Sequence, residues 1–356
     1  MIKLQVNDQS CRGGPLWPPQ FGKRVYLKFL VFHAGATRDG CPYMVACRVA
    51  LCAMIFCSLA LSSEARLLKK SSLNDAQKKI VELIATSGAE TVAVAFYDLA
   101  SGRELLINPD ISFHAASTMK VPVMMEIYAQ AAAGKLALDE RLPIKNDFLS
   151  IADGSHFSVS ANDDSEQSLY KRIGETATIR ELMRLMIIAS SNLATNMLIE
   201  RVTPARVMGL MREIGARNIR VRRGVEDGKA YERGLNNTTT ARDLMIILRR
   251  IAAGRAVSKP SSDEMIRVML DQQFNESIPA GLPKDARVAH KTGSITKINH
   301  DAAIIFLPNR QPYVLVVLTR GLSDEARAHR LIEDISRTIY ESVGRKQGEK
   351  MMNDER

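Results

Sequence analysis

Strand-like runs lie near both ends of the foldable part of this chain, and the stretch between them is helical in pattern. Glu90–Leu99 alternates and is rich in β-branched residues, and the turn at 100–103 separates it from Glu104–Ile107, which predicts a β-hairpin. Later strand-like runs are Arg287–His290, Ala302–Leu307 and Tyr313–Thr319. The chain is therefore expected to start and end in one layer, an antiparallel sheet with helices against it.

The other segments place apolar residues at three- and four-residue steps, which is typical of helices that bury one face. A first helix is predicted from Ser71 or Ser72 to about Thr86, and a last helix over Asp324–Ser342. The helices between are Val121–Ala133, Ile179–Ala189, Leu193–Glu200, Ala205–Ile214, Ala241–Ala252 and Ser262–Leu270. The predicted fold class is α/β in the α+β sense: an antiparallel sheet flanked by N- and C-terminal helices, with an inserted all-helical lobe.

The folded domain is predicted to span residues 66–345. Its α/β layer is assigned to 66–116 and 255–345, and its helical lobe to 117–254. The polar segment Asp147–Gly174 is the predicted long loop, and residues 346–356 are expected to form a disordered tail. At 356 residues and 46% hydrophobic content, the chain is long enough to bury a sizeable core.

The residues before this domain have the order of an export signal. Arg48 precedes the apolar run Val49–Leu61, and small residues follow as far as Ala65. This pattern predicts a signal peptide over 44–65 and a secreted or periplasmic mature protein, without stable membrane insertion after cleavage. An uncleaved anchor is the alternative, although the apolar run is short for a membrane span. Residues 1–43 are interpreted as an upstream extension from a misannotated start site.

Cysteine usage and charge exclude several function classes. All five cysteines precede residue 58, so the predicted domain contains no disulfide, no cysteine nucleophile and no thiolate metal site. The net charge of +10 comes without a basic run that carries interleaved aromatic residues, which argues against nucleic-acid binding. No His-Glu-x-x-His or comparable cluster occurs. We therefore expect neither a metal nor another cofactor.

The segment Ser117–Lys120 (STMK) stands at the entrance to the predicted helix Val121–Ala133. One helical turn is expected to bring the Lys120 amine beside the Ser117 hydroxyl, and a helix N-terminus favours a developing alkoxide. Two other Ser-x-x-Lys matches occur, Ser168–Lys171 and Ser294–Lys297. Only Ser117 precedes a long apolar helix, so it is the predicted nucleophile.

The segment Ser190–Asn192 (SSN) falls between two predicted helices. A short helix break at this point can project side chains into a cleft. Ser190 can then pass a proton to a leaving nitrogen, and the Asn192 amide can hold a substrate carbonyl. The alternative is a plain helix stop followed by a cap.

The segment Lys291-Thr292-Gly293-Ser294 is expected to close an apolar strand-like run. Gly293 lets a ligand approach the backbone, Thr292 offers a hydroxyl, and Lys291 offers a positive charge to a carboxylate. The Lys-Thr-Gly triplet occurs once in the chain, against roughly a tenth of an occurrence expected by chance at average composition. It is the strongest single signal.

In this order, the three segments resemble the motif set of class A β-lactamases and penicillin-binding proteins. The resemblance covers about residues 70–345, and it extends to Asn192–Asn196 and to Thr238–Ala241, which resembles the end of the family's Ω loop. It implies that Ser117 attacks a β-lactam carbonyl. It also implies an oxyanion hole formed by the backbone N–H groups of Ser117 and Ser294.

The same resemblance implies an Ω-loop glutamate that activates the water of deacylation. The run Arg222–Asp227 offers Glu226, and Leu235–Asn237 follows, but the spacing departs from the family pattern. Glu226 is the candidate base and Asp227 the alternative.

The predicted function is a monomeric serine β-lactamase that acts on a small-molecule β-lactam. One alternative is a D,D-peptidase acting on peptidoglycan stem peptides, and another is a catalytically silent module that binds cell-wall peptides or a partner. A Ser-His-Asp hydrolase is disfavoured because no Gly-x-Ser-x-Gly elbow occurs. The histidines His290, His300 and His329 are accordingly assigned structural roles.

Overall fold

The computed structural model describes residues 72–344 of the chain. The predicted upstream extension (1–43), signal peptide (44–65) and tail (346–356) lie outside the described residues. Within 72–344, no helix is long and apolar enough to cross a membrane.

The elements follow one another in three groups. The first group is helix α1 (72–87) and strands β1 (Thr91–Asp98) and β2 (Glu104–Ile107). The middle group is mostly helical and comprises β3 (Phe113–His114), α2 (Lys120–Ala132), β4 (Arg141–Pro143), β5 (Phe148–Leu149), β6 (His156–Phe157), β7 (Thr176–Thr178), α3 (Ile179–Ile188), α4 (Asn192–Val202), α5 (Pro204–Ile214), α6 (Gly228–Glu232), β8 (Thr238–Thr239), α7 (Ala241–Ala252) and α8 (Lys259–Leu270). The last group is β9 (Arg287–Ile295), β10 (Ile298–Phe306), β11 (Tyr313–Arg320) and α9 (Glu325–Gly344).

The strands of the first and last groups form one five-stranded antiparallel sheet. Its order is β2-β1-β11-β10-β9, and the pairing of β1 with β11 joins the two ends of the domain. In that pairing Thr91 lies opposite Arg320 and Asp98 opposite Tyr313. The predicted fold class, an antiparallel sheet flanked by terminal helices with a helical lobe inserted, is confirmed.

The sheet is buried on both faces because its strands are apolar at successive positions. Side chains of a strand alternate between faces, and Val94 and Phe96 of β1 pack with α1 and α9, whereas Ala93 and Ala95 face the core shared with the helical lobe. Helix α7, which the sequence assigned to the helical lobe, packs against β1, β10 and β11. The lobe thus rests on the sheet through α7.

The sequence prediction differs from the structure at one functionally relevant strand. β9 continues through Ile295 and stays paired with β10 to its end, where Ile295 lies opposite Ile298. The predicted run Arg287–His290 is therefore too short, and Lys291–Ser294, which was expected to close the run, belongs to the last part of β9. Pairing with β10 outweighs the weak strand propensity of Gly293.

The segment 147–174 was predicted as a long loop, and it contains two short structured parts. β5 and β6 form a hairpin whose Phe148 and Phe157 rings lie 5.9 Å apart. A 3₁₀ turn, Ser168–Arg172, buries Leu169. These pieces are too short to show the periodicity that identifies elements in a sequence.

Candidate active site

Ser117 lies in a 3₁₀ turn, Ala116–Met119, that leads directly into α2. The turn is fixed by hydrogen bonds from Ala115 N to Asn237 O (2.9 Å) and from Thr118 Oγ1 to Ala115 O (2.6 Å). Ala116 has a φ of +45°, a left-handed conformation that is costly for a residue with a Cβ atom. Backbone strain of this kind concentrates at functional sites.

Two cavities meet at Ser117, with volumes of about 480 Å³ and about 430 Å³. Ser117, Asn192 and Ser294 line both cavities. The larger one also borders Glu226, and the smaller one also borders the remaining cleft residues Ser190, Thr292 and Gly293. The three motif segments and the candidate loop glutamate therefore surround one cleft.

Gly293 of β9 makes a close backbone approach to the turn that carries Ser117. A Cβ atom at Gly293 would lie 3.0 Å from Ser117 N and 3.1 Å from Thr118 N. Both neighbours are backbone atoms, so they cannot swing aside as the end of a flexible side chain can. Glycine at this position thus permits the contact between the sheet and the serine turn.

Lys120 is fully buried at the start of α2. Its Nζ donates hydrogen bonds to Ser190 O (2.7 Å), Ser190 Oγ (3.1 Å) and Asn192 Oδ1 (3.0 Å). Within the described chain none of its hydrogen bonds goes to Ser117 Oγ, although Lys120 stands one turn after it. Burial lowers the pKa of Lys120 to about 7, against the opposing effect of the negative charges of Asp164 and Glu226.

Ser190 occupies the break between α3 and α4. Its φ is +57°, and in this conformation both its carbonyl and its hydroxyl accept from Lys120. The adjacent Ser191 caps α4, since its side chain accepts from Ala194 N at 3.2 Å. The interpretation as a helix stop followed by a cap is thus met at Ser191, and the contacts of Ser190 with Lys120 are compatible with the proton transfer expected of it.

Lys291 is the second fully buried lysine of the site. Its Nζ donates to Thr292 O at 2.9 Å. Burial holds the pKa of Lys291 well below its usual value, and the nearby positive charge of Lys120 acts in the same direction. Each of two neighbouring buried ammonium groups lowers the pKa of the other, because a positive charge disfavours the protonated form beside it.

Glu226 reaches the cleft from the loop before α6. Its Oε1 accepts from Asn192 Nδ2 (2.7 Å) and its Oε2 from Ser160 N (2.8 Å). The residue as a whole is exposed, but its carboxyl group lies against the cleft wall, and this partial desolvation raises its pKa. Asn192 thus bridges Glu226 to Lys120.

The loop around Glu226 is tied to α4 and closed on itself. Asn196 of α4 accepts from Val225 N (2.6 Å) and donates to Val225 O (3.0 Å). Arg223 Nε donates to Leu235 O (3.1 Å), and Asn237 Oδ1 accepts from Arg223 N (3.2 Å). These bonds hold the two ends of the loop together although its spacing departs from the family pattern.

Asp227 is buried and its carboxylate is engaged in structural contacts. It caps α6 by accepting from Ala230 N (3.0 Å), and it also accepts from Ser150 Oγ (2.7 Å) and Ile151 N (3.0 Å). A carboxylate saturated in this way is poorly placed to activate water. The geometry favours Glu226 over Asp227 as the base.

Sequence reasoning missed Asp164, a buried residue of the segment 147–174. Its Oδ2 accepts from the backbone N of Asn192 (2.8 Å) and of Leu193 (2.9 Å). Nothing in the local sequence marks this residue, because an acidic residue in a polar stretch is usually solvated.

The three histidines named above make structural contacts. His290 Nδ1 pairs with Asp301 Oδ1 at 2.9 Å, and His329 Nδ1 with Ser277 Oγ at 2.7 Å. His300 is bonded to His114 O at 2.9 Å, and burial lowers its pKa to about 4. Among the described residues 72–344, no group of three or more His, Cys, Asp or Glu side chains is arranged to hold a metal ion.

Comparisons with known proteins show the family of the chain. Residues 75–343 match the model of the "Beta-lactamase enzyme family". A beta-lactamase of Streptomyces albus G is 28% identical over 279 residues, which cover 77% of this chain and 86% of that protein. Beta-lactamase L2 of Stenotrophomonas maltophilia is 28% identical, over 71% of this chain and 78% of that protein.

Solved structures include both kinds of protein that the motifs resemble. The structure of PBP-A is 29% identical, with a TM-score of 0.67, over 77% of this chain and 97% of that one. A beta-lactamase from Sphaerobacter thermophilus is 27% identical, with a TM-score of 0.65, over 74% of this chain and 97% of that one.

Proposed function

Because the chain belongs to the beta-lactamase enzyme family, and is thus a β-lactamase-like serine hydrolase, we propose that it hydrolyses β-lactams through an acyl-enzyme on Ser117. The observation that carries the proposal is the hydrogen-bonded series from Lys120 through Asn192 to Glu226. This series links the proposed base of acylation to the proposed base of deacylation through one side chain. No cofactor is required, and we propose that the enzyme acts as a secreted or periplasmic monomer.

Acylation begins when Ser117 Oγ attacks the carbonyl carbon of the β-lactam. The hydroxyl proton passes to Lys120, which is a suitable acceptor because burial lowers its pKa to about 7 and leaves much of the amine neutral near neutral pH. The backbone N–H groups of Ser117 and Ser294 stabilise the oxyanion. The product of the attack is a tetrahedral adduct on Ser117.

Collapse of this adduct breaks the bond between the carbonyl carbon and the ring nitrogen. The nitrogen takes a proton from Ser190 Oγ, and Lys120 Nζ, which donates to that oxygen at 3.1 Å, returns one to Ser190. The proton that left Ser117 thus reaches the nitrogen. Lys291 and Thr292 are proposed to hold the substrate carboxylate, and the Asn192 amide a substrate carbonyl.

Deacylation requires a water molecule at the acyl ester. Glu226 takes a proton from that water and the water oxygen bonds to the acyl carbon. The ester bond then breaks as the proton held by Glu226 is returned to Ser117 Oγ, which regenerates both groups. The raised pKa of Glu226 makes it a better proton acceptor than an ordinary exposed carboxylate.

The alternative function is a penicillin-binding D,D-peptidase acting on peptidoglycan stem peptides. The similarity to PBP-A favours it, and a mutant of PBP-A was solved as an acyl-enzyme complex with penicillin G. The two functions share acylation and differ in the fate of the acyl-enzyme. The rate of deacylation therefore separates them.

The test is to incubate the full chain with a chromogenic cephalosporin and to follow both absorbance and intact mass. We expect sustained turnover, with a transient adduct that disappears in Ser117→Ala. Ser168→Ala is the matched control, because Ser168 belongs to another Ser-x-x-Lys sequence and its hydroxyl donates to Glu166.

The outcomes distinguish the candidates. A stable adduct on Ser117 without turnover supports the penicillin-binding alternative. If neither an adduct nor turnover is observed, acylation by β-lactams is contradicted and the catalytically silent binding module remains. An adduct that persists in Ser117→Ala contradicts the choice of nucleophile.

A further inference from the structure

Asp164 is a buried carboxylate that the proposed reaction does not use. Only 3% of its surface is exposed, and it lines neither of the two cavities at Ser117. Burying a carboxylate is costly unless it is fully hydrogen-bonded. Its Oδ2 accepts from Asn192 N, Leu193 N and the Tyr170 hydroxyl (2.9 Å), and Ser191 Oγ lies at 3.3 Å.

The backbone groups bound to Asp164 are the first N–H groups of α4. The first N–H groups of a helix have no partner within the helix. The Ser191 hydroxyl accepts from Ala194 N. Asp164 accepts from the two preceding N–H groups, those of Asn192 and Leu193. The start of α4 is therefore fixed by a residue 28 positions earlier in the chain.

Asn192 is the residue whose position this contact fixes. Its Oδ1 accepts from Lys120 at 3.0 Å and its Nδ2 donates to Glu226 at 2.7 Å. A shift of the Asn192 backbone would displace both side-chain contacts together. Misplacement by about 1 Å can reduce a rate by about 10²-fold.

We propose that Asp164 is a positioning residue of this active site: through the start of α4 it sets Asn192, and through Asn192 it aligns Lys120 and Glu226. The identity of the proton transfers rests on the proposed function, whereas the positioning of the side chains does not. The segment 147–174 thereby becomes part of the active site.

The charge of Asp164 acts on the same pair of residues. Lys120 faces Asp164, Glu226 and Lys291, and burial lowers its pKa while the negative charge of Asp164 opposes that effect. Asp164 itself faces Tyr170, Lys120 and Glu226. Removing its charge therefore lowers the pKa of Lys120 further.

Two substitutions separate geometry from charge. Asp164→Ala removes every acceptor, while Asp164→Asn keeps an oxygen that can accept from α4 but loses the charge. Asp147→Asn is the matched control, because Asp147 is an exposed acid of the same segment that pairs with His156. The rate of acylation by benzylpenicillin is measured from pH 5 to 9 on the full chain, with the thermal unfolding midpoint of each variant.

We expect the parent's acylation rate to rise with pH and to level off above about 7, because the neutral amine of Lys120 is the acceptor. Asp164→Ala should lower the plateau about 10²-fold with little change in apparent substrate affinity. In Asp164→Asn the plateau rate of acylation should fall less than in Asp164→Ala. The rise of the rate with pH should also occur at a lower pH than in the parent. Asp147→Asn should match the parent.

A readout that needs no substrate keeps the proposal testable. Lysine labelled with ¹³C at Cε allows the ionisation of Lys120 to be followed by NMR, with Lys120→Arg assigning its signal. The pKa of Lys120 should fall in Asp164→Asn and stay at the parent's value in Asp147→Asn.

Two results would overturn the proposal. One is a folded Asp164→Ala that acylates like the parent, and the other is an unchanged Lys120 titration in Asp164→Asn. A lower unfolding midpoint with an unchanged pH profile would mean a purely structural role for Asp164, and that result also contradicts the proposal. If the parent forms no adduct but the titration of Lys120 differs between the parent and Asp164→Asn, the proposed function fails and the coupling of Asp164 to Lys120 stands.

Discussion

The two sides of the cleft are built in different ways. The motif side consists of Ser117–Lys120, Ser190–Asn192 and Lys291–Ser294, which begin helices, interrupt them or lie inside a strand. The loop side consists of segments 147–174 and 222–237, which have little regular structure. Both buried lysines belong to the motif side, and Glu226 belongs to the loop side.

The loop side is held by polar contacts between its two segments. Ser160 binds Glu226, Ser150 and Ile151 bind Asp227, and Lys229 Nζ donates to Asp153 at 2.9 Å. A net contribution of about 0.5–1.5 kcal/mol is usual for one such hydrogen bond. The motif side is fixed mainly by the packing of helices and strands around a buried core, and Asp164 of the loop side holds the start of α4.

This difference teaches that the two halves of the proposed reaction depend on separable structures. Acylation depends on groups that packing holds in place, and deacylation depends on a carboxylate that a few hydrogen bonds orient. A change in the segment 222–237 should therefore alter deacylation and spare acylation. Asp164 in the segment 147–174 is the exception, because it holds the start of α4 and should affect acylation. A change on the motif side should impair acylation first.

The largest effect is expected from Glu226→Gln, because it removes the proposed base for water while keeping the shape of the side chain. Deacylation should slow by about 10²–10⁴-fold, and acylation should change little. The measurement is the time course of the adduct by intact mass after mixing with a cephalosporin. Glu232→Gln, the same substitution at an exposed position on α6, is the control. Equal deacylation in parent and Glu226→Gln would exclude Glu226 as the base.

A smaller effect, on the other side of the cleft, is expected from Gly293→Ala. The new Cβ would press on the backbone of Ser117 and Thr118, and acylation should slow by about 10²-fold through misplacement of the nucleophile. Stopped-flow acylation kinetics measure this. Gly209→Ala is the control, since a Cβ there meets no atom within 4 Å and alanine favours the helix. Normal acylation in Gly293→Ala would contradict the close approach.

The smallest effect on rate is expected from Asp227→Ala, which removes the cap of α6 and the contacts to Ser150 and Ile151. The free energy of unfolding should fall by about 1–3 kcal/mol, and deacylation should slow a few-fold while acylation stays normal. Denaturant unfolding measures the free energy of unfolding, and the decay of the adduct measures the deacylation rate. Asp324→Ala removes a comparable contact at the start of α9 and should spare deacylation. A larger loss of acylation than of deacylation in Asp227→Ala would break the comparison between the two sides.

Much of the fold follows from local patterns. The bounds of β2 and α7 agree with the sequence prediction, because alternation and helical spacing directly determine which residues of an element can be buried. The motifs likewise identified Ser117, Ser190 and Thr292, which line one cavity. Lys291 is buried next to them and donates to Thr292 O. Short pairings such as β5 with β6 were missed because a strand of two residues is too short to show the alternation that identifies a strand.

What the sequence alone determined was the order of elements and the chemistry available on the motif side. Tertiary structure decided the partners of those groups: Lys120 contacts Ser190 and Asn192, Asp164 holds α4, and Ser160 N binds Glu226 from 66 positions away. The physical reason is that periodicity and capping act within a few residues, whereas these contacts depend on the path of two irregular segments. Such a path is fixed only when the whole domain packs.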